Sequence, residues 1–246
     1  MGEAKRRKAK GEPTVASRRR KRQQFLIWGG GSLLVIGVIA LAIYLATPGS
    51  GPVGSLPKAA DGAAPFPSQF DQYGVHLGDP DAPVVVREFA DYQCPACANF
   101  ARLHPQLKAD YIDTGKVRLV FFDMPLSQHQ NSMAAAQAAR CAGAQNNYWD
   151  MHEKLFNQQS DWSLESDPIE SFIGYAEELE LNASRFSSCL RREQLRDDVE
   201  ASLQVARQLQ VASTPTVFVD NIHVPRPVWD ALSGVIEREL ASREGR

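Results

Sequence analysis

Cysteine is scarce in this chain of 246 residues, which contains only four. Cys94 and Cys97 form a single Cys-x-x-Cys motif, whereas Cys141 and Cys189 each stand alone. Because no second Cys-x-x-Cys and no closely spaced pair of histidines supplies further ligands, we expect no zinc site and no other metal centre. The five histidines include His104, His129 and His152, which are scattered along the sequence. A lone histidine is usually structural or solvated.

Charge is absent from residues 25–46, which read FLIWGGGSLLVIGVIALAIYLA. As a helix this stretch would extend ~33 Å, close to the thickness of a bilayer core. Residues 1–24, just before it, hold ten Lys or Arg against two Glu. The positive-inside rule therefore predicts one transmembrane helix, with residues 1–24 as a basic arm in the cytoplasm and the rest of the chain outside it.

Three other interpretations of this region are weaker. The apolar run exceeds the ~7–15 residues of a cleaved signal peptide, which favours a retained anchor. A buried core helix fits poorly between Arg22 and a proline-rich exit. The basic arm could bind nucleic acid, but topology explains its charge more simply, so we expect no nucleic-acid partner.

Proline and glycine are concentrated in residues 47–67, with five Pro and four Gly. Such a composition predicts a tether instead of packed helix or strand. We therefore assign residues 47–69 to a linker and residues 70–246 to one folded domain.

The folded domain alternates strand and helix patterns. Residues 83–92 and 117–124 are β-branched and aromatic, which predicts buried strands, and a helical pattern follows Cys94, with a kink expected at Pro105. Residues 128–210 are alanine- and glutamine-rich with helical periodicity. Strand signals return at residues 216–219 and 222–224, before a last helix at about 227–242. The order predicts an α/β fold with a helical insertion at about 128–210.

The Cys-x-x-Cys motif lies where a strand gives way to a helix. A cysteine at a helix N-terminus meets unsatisfied N–H groups and the positive end of the helix dipole, which stabilise a thiolate. Cys94 is therefore expected to be the exposed attacking sulfur, and Cys97 the buried resolving one. A purely structural disulfide is less favoured, because so short a loop contributes little stability.

The stretch LGDPDAPVVVREFADYQCPACANF, followed far downstream by STPTVFVD, resembles the DsbA-like branch of the thioredoxin superfamily. The resemblance covers most of residues 75–243. It implies a thioredoxin fold with a helical insertion and an extracytoplasmic thiol:disulfide oxidoreductase. Cys94 and Cys97 match the active-site pair of that family.

The same resemblance implies roles for three further residues. Pro215 matches a cis proline beside the active-site disulfide, and the backbone of Thr214 would pair with an extended substrate. Without the resemblance, a trans proline at a strand entry is the simpler interpretation. Glu88 matches a buried acid that exchanges protons during catalysis. Alternatively, Glu88 is a surface acid paired with Arg87.

The resemblance also bears on the isolated cysteines and on redox strength. Some relatives carry a second, structural disulfide in the helical insertion, so we predict a Cys141–Cys189 bond; two buried thiols are the alternative.

The dipeptide between the active-site cysteines is Pro-Ala, whereas the best-known oxidases of the family have Pro-His. Alanine cannot help to stabilise the thiolate, so a less oxidising disulfide is expected.

The sequence thus predicts a membrane-anchored oxidase that gives its disulfide to protein thiols outside the cytoplasm and is reoxidised by a membrane partner. No cofactor is expected, because the disulfide itself carries the two electrons. A reductase or isomerase of the same fold remains open. So do a tethered chaperone without redox chemistry and a Cu(I)-delivery protein that uses Cys94 and Cys97 as ligands.

Overall fold

The computed structural model of the chain describes residues 56–60 and 62–244. The predicted basic arm (1–24), the predicted transmembrane helix (25–46) and the first part of the predicted linker (47–55) lie outside these residues. Within the described ranges, no helix combines the length and the apolar character needed to cross a membrane.

A five-stranded sheet forms the centre of the domain. Its strands are β1 (Val75–Leu77), β2 (Val84–Ala90), β3 (Val117–Asp123), β4 (Thr216–Val219) and β5 (Ile222–His223), in the spatial order β1-β3-β2-β4-β5. β2 and β3 pair in parallel, and the other three pairings are antiparallel. Six of the seven residues in both β2 and β3 are buried, as expected for central strands covered on both faces.

The helical segment after β2 is broken where a single kinked helix was expected. Helix α1 (Pro95–Ala101) is followed by α2 (His104–Leu107) and a π-helical turn (Lys108–Ile112). Pro105 lies in the first turn of α2, where the missing N–H of proline costs no helical hydrogen bond. The proline therefore starts a new helix instead of kinking a continuous one.

Six helices form the insertion between β3 and β4, and a last helix closes the domain. Those of the insertion are α3 (Ser132–Gly143), α4 (Tyr148–Asn157), α5 (Gln159–Trp162), α6 (Ile169–Glu178), α7 (Ala183–Arg191) and α8 (Arg196–Gln208). The predicted insertion at 128–210 matches this block. The helical pattern of residues 184–209 predicts a single segment, but the structure has two helices there, separated near Glu193, whose φ of 50° is left-handed. The last helix is α9 (Trp229–Glu244).

Helices cover both faces of the sheet. Val84 and Val86 of β2 share one apolar cluster with residues of α1 and α9. Phe89 of β2 belongs to another cluster, which includes Val205 and Ala206 of α8. A third and larger cluster lies within the insertion and extends to both active-site cysteines. The architecture is a thioredoxin-like α/β fold with a helical insertion.

The described part of the predicted linker contacts the domain. Leu56 packs against the cluster that contains α9, and Arg238 of α9 donates a hydrogen bond to the carbonyl oxygen of Pro57 at 2.7 Å. The guanidinium of Arg87 lies 4.1 Å from the ring centre of Phe66. A 3₁₀ helix, Ser68–Tyr73, then leads to β1. The expected start of the domain at residue 70 is therefore too late, because apolar side chains within the proline-rich stretch find partners on the domain.

Candidate active site

The two cysteines of the motif occupy different environments at the start of α1. Cys94 is the N-cap residue, with an extended backbone, and Pro95 follows in the first turn. Both thiols are free and both residues are buried, so the expectation that Cys94 is exposed is wrong; at 8% exposure it is only the more accessible of the two, since Cys97 is fully buried. The Cys97 sulfur accepts a hydrogen bond from the backbone N–H of Asp91 at 3.5 Å. Cys94 is therefore the sulfur that a partner molecule can reach.

Thr214 and Pro215 meet Cys94 across 120 residues of sequence. The Thr214–Pro215 peptide bond is cis. The Cys94 thiol donates a hydrogen bond to the backbone carbonyl of Thr214 at 3.6 Å. The fold thus places the Thr-Pro dipeptide beside the reactive sulfur, where the family resemblance puts it.

Hydrogen bonding and burial move the pKa values of the two thiols in opposite directions. The pKa of Cys94 is lowered to about 5, and the largest cause is the hydrogen bond from the Cys97 thiol. Burial acts against this shift, whereas the Thr214 side chain and the backbone N–H groups of Cys97 and Ala96 add to it. Burial, followed by the bond to Cys94, raises the pKa of Cys97 far above that of an ordinary thiol. At neutral pH the reduced pair is therefore one thiolate, on Cys94, beside one thiol, on Cys97.

This asymmetry predicts the pH dependence of alkylation. The rate at which iodoacetamide modifies reduced Cys94 should follow its thiolate fraction, with a midpoint near pH 5, and fall as pH drops through that value. Cys97→Ala removes the hydrogen bond that lowers the pKa most, so its midpoint should rise toward that of a free thiol. Cys97→Ser keeps a donor and should shift the midpoint less. A wild-type midpoint near 8.5, the value of an unperturbed thiol, would contradict this assignment.

Glu88 is fully buried in β2 and is not paired with Arg87. The guanidinium of Arg87 instead binds the Asp71 carboxylate through two hydrogen bonds of 2.6 and 2.8 Å, so the surface-acid alternative is wrong. The Glu88 Oε2 atom lies 2.8 Å from Nε2 of His104. Its negative charge contributes to the raised pKa of Cys97, which places the carboxylate within electrostatic reach of the resolving thiol.

The fold also joins two histidines that look isolated in the sequence. Nδ1 of His104 lies 3.1 Å from Nε2 of His152, and Nδ1 of His152 lies 2.8 Å from the Tyr92 hydroxyl. No spacing in the sequence signals this contact, because α2 and α4 are separated by β3 and α3. The histidines were expected to be structural or solvated, but two of them extend the environment of Glu88.

Polar residues that sequence reasoning missed hold the backbone around Cys94. The Asp91 carboxylate accepts hydrogen bonds from the N–H groups of Gln93 and Leu126 at 2.7 and 2.8 Å, and it pairs with His129 at 2.8 Å. The Gln159 side chain donates to the carbonyl oxygens of Tyr92 and Cys94 at 2.6 and 3.0 Å. An acid at the end of a buried strand was a usable signal for Asp91, whereas nothing in the sequence distinguishes Gln159.

Cys141 and Cys189 form a disulfide that joins α3 to α7. Their Cα atoms are 5.9 Å apart and both residues are buried in the core of the insertion. This is the bond that the family resemblance predicts. Across residues 56–60 and 62–244, no group of three or more His, Cys, Asp or Glu side chains is arranged to hold a metal ion.

Comparison with known proteins agrees with this geometry. A family model described as thioredoxin matches residues 71–238. The chain is 31% identical over 168 residues to the probable disulfide bond formation protein D of Bacillus anthracis. The aligned region covers 67% of this chain and 77% of the relative. Oxidised BdbD from Bacillus subtilis superposes with a TM-score of 0.63 at 29% identity, covering 69% of this chain and 94% of that one. The fold is also that of alpha-DsbA1 from Wolbachia pipientis, with a TM-score of 0.62 at 24% identity, over 74% of this chain and 96% of that one. The chain therefore belongs to the thioredoxin family, within its DsbA-like branch, and is a protein thiol:disulfide oxidoreductase.

Proposed function

We propose that this oxidoreductase works as an oxidase that donates its Cys94–Cys97 disulfide to protein thiols outside the cytoplasm. One observation carries the direction: the pKa of Cys94 is lowered to about 5. A thiolate stabilised to this degree favours the reduced form of the enzyme, and an enzyme whose reduced form is stabilised is a strong oxidant. The names of the Bacillus relatives, disulfide bond formation proteins, support the same direction.

Each sulfur is given a part in the proposed exchange. A substrate thiolate attacks Cys94, the more accessible sulfur, and the Cys94–Cys97 bond breaks, with its electron pair leaving on Cys97. The second substrate thiolate then attacks the substrate sulfur of the mixed disulfide. Cys94 departs as a thiolate, and its low pKa makes it a good leaving group. The substrate is oxidised to a disulfide and the enzyme is left reduced.

Substrate binding is proposed to use the backbone next to Pro215. The polar groups of Thr214 can pair with an extended segment of an unfolded or partly folded chain, as an added strand does at a sheet edge. Such pairing is independent of side-chain identity, which suits an enzyme with many substrates. The proposed setting is a single-pass anchor at residues 25–46 in the cell membrane, with a membrane redox partner that reoxidises the pair.

The reduction potential of the Cys94–Cys97 pair tests the proposed direction. Equilibration of the full-length protein with glutathione buffers, followed by quantification of the oxidised fraction, should give a value well above that of thioredoxin and toward the strong-oxidant end at about −120 mV. Oxidised enzyme should also convert a reduced, unfolded two-cysteine substrate to its disulfide form. A potential near that of thioredoxin, about −270 mV, would instead identify a reductant and reject the oxidase assignment.

A further inference from the structure

One side chain of the helical insertion binds the backbone on which the reactive sulfur is carried. Gln159 is the first residue of α5, and its amide nitrogen Nε2 donates to the carbonyl oxygens of Tyr92 at 2.6 Å and Cys94 at 3.0 Å. A primary amide has two N–H donors, so each carbonyl oxygen can receive one of them. Both donors of a single group are therefore used to hold the active-site loop.

The contact requires a hydrogen-bond donor at this position. The two carbonyl oxygens converge on the same nitrogen, and both carry partial negative charge. The Cys94 carbonyl also accepts a hydrogen bond from the backbone N–H of Ala98 at 3.1 Å, within the first turn of α1. An ionised glutamate has the shape of glutamine but offers no donor, and methionine has a similar length without a donor. The chemistry of Gln159, and not its shape alone, makes the contact.

A second amide side chain attaches the same loop to the insertion. Gln93 Nε2 donates to the carbonyl oxygen of Ser163 at 2.7 Å, and Gln93 Oε1 accepts from the backbone N–H of Asn131 at 2.7 Å. Ser163 is the C-cap residue of α5, and Gln159 begins that helix. The loop of residues 92–94 is therefore bound to both ends of α5.

The position of this loop controls which donors reach the Cys94 sulfur. Cys94 is the N-cap residue of α1, and the backbone N–H groups of Ala96 and Cys97 donate to its sulfur in that extended conformation. A shift of the Cys94 backbone would lengthen these hydrogen bonds. It would also move the sulfur relative to the Thr214 carbonyl oxygen, which lies 3.6 Å away.

We propose that Gln159 is a positioning residue for disulfide exchange. By holding the carbonyl groups of Tyr92 and Cys94, it keeps the Cys94 sulfur in line with the donors of α1 and with an incoming sulfur. The helical insertion thus contributes to the reactivity of a cysteine that lies outside it in the sequence. This role rests on the proposed exchange at Cys94, in whichever direction that exchange runs.

A series of side chains at position 159 tests this role. Reduced full-length protein and its variants are treated with iodoacetamide across a range of pH, and mass spectrometry gives the alkylation midpoint of Cys94. Gln159→Glu removes both donors and adds a negative charge, which disfavours a nearby thiolate, so the midpoint should rise by about one pH unit or more. Gln159→Met removes the donors without adding charge and should raise the midpoint less. Gln159→Lys keeps donors and adds a positive charge, so its midpoint should equal that of the wild type or lie below it.

The reduction potential is a readout that a merely structural role would not move in proportion. A rise of one pH unit in the midpoint means that the thiolate, and with it the reduced enzyme at neutral pH, is about tenfold less stable. The equilibrium with glutathione should then change by about tenfold, which is about 30 mV toward the reducing side. The midpoint shifts and the potential shifts of the three variants should therefore fall on one line.

Gln158→Glu is the matched control. Gln158 precedes Gln159, is half-buried, and forms no side-chain capping hydrogen bond at the start of α5. The same charge placed there should leave both the midpoint and the potential close to those of the wild type. If Gln159→Met does not fold, as thermal melting would show, the opposite effects expected of Gln159→Glu and Gln159→Lys still test the role.

Three results would separate failure of this role from failure of the exchange. Equal shifts in Gln158→Glu and Gln159→Glu would show a general effect of negative charge and reject the positioning role. A wild-type midpoint in Gln159→Glu would reject it as well, while leaving exchange at Cys94 intact. Wild-type protein that does not exchange its disulfide with glutathione would instead defeat the proposed function itself.

Discussion

Cys94→Ser is expected to reduce disulfide transfer below detection. A serine oxygen cannot form the mixed disulfide through which a substrate thiolate is oxidised, and the buried Cys97 is not accessible to replace it. The measurement is the rate at which a reduced, unfolded two-cysteine protein acquires its disulfide in the presence of each variant. Cys97→Ala should behave differently, because Cys94 can still be trapped in a mixed disulfide but has no partner thiol to release it.

The Cys141→Ala/Cys189→Ala double variant is the control for this loss. It removes two sulfur atoms but keeps both active-site thiols. Its rate of disulfide transfer should therefore remain close to that of the wild type at a temperature where the variant is folded. Full activity of Cys94→Ser in the same refolding assay would show that the chain assists folding by binding and not by redox chemistry.

The same double variant should lose about 4 kcal/mol of unfolding free energy. A bond that closes a loop of 48 residues restricts the unfolded chain by about this amount in the chain-entropy model. For a domain of this size, each kcal/mol corresponds to about 2–4 °C in melting temperature, so the midpoint should fall by about 8–16 °C. Thermal and urea unfolding, followed by circular dichroism, would measure both quantities.

The loss of unfolding free energy can be compared with that of a variant that lacks the active-site pair. Cys94→Ala/Cys97→Ala opens a far shorter loop, so the entropic loss should be much smaller than for the bond between α3 and α7. If the Cys141→Ala/Cys189→Ala variant unfolds within 1 kcal/mol of wild type, the disulfide does not stabilise the insertion in this way. The packing of alanine and aromatic side chains in the core of the insertion would then account for its stability.

The central strands could be predicted from the sequence because burial on both faces leaves a nearly continuous apolar run. β2, β3 and β4 were found in this way. β1 was not predicted, because a strand of three residues with one exposed side chain is too short to show an alternating pattern of apolar and polar residues. The break after α7 was also missed, since Glu193 adopts a left-handed conformation without the glycine that usually marks one.

The candidate site was only partly predictable for a related reason. Cys94 and Cys97 lie three positions apart and form a recognisable motif, and the Thr-Pro dipeptide was identified through its family resemblance. The partner of Glu88 was not foreseen, because His104 and His152 approach each other only when α2 and α4 pack together. A long-range pair of this kind leaves no local signature, since periodicity reports which face of a helix is buried and not which residue it meets.

The segment before the 3₁₀ helix determines where the domain can be separated from residues 1–54. A fragment that begins at Phe70 would lack Leu56, Pro57 and Phe66, leaving Arg238 without its carbonyl acceptor and uncovering apolar surface on α9. A fragment that begins at residue 55 keeps these contacts. The yield and solubility of an expressed domain thus depend on a short stretch of chain that takes no part in the chemistry.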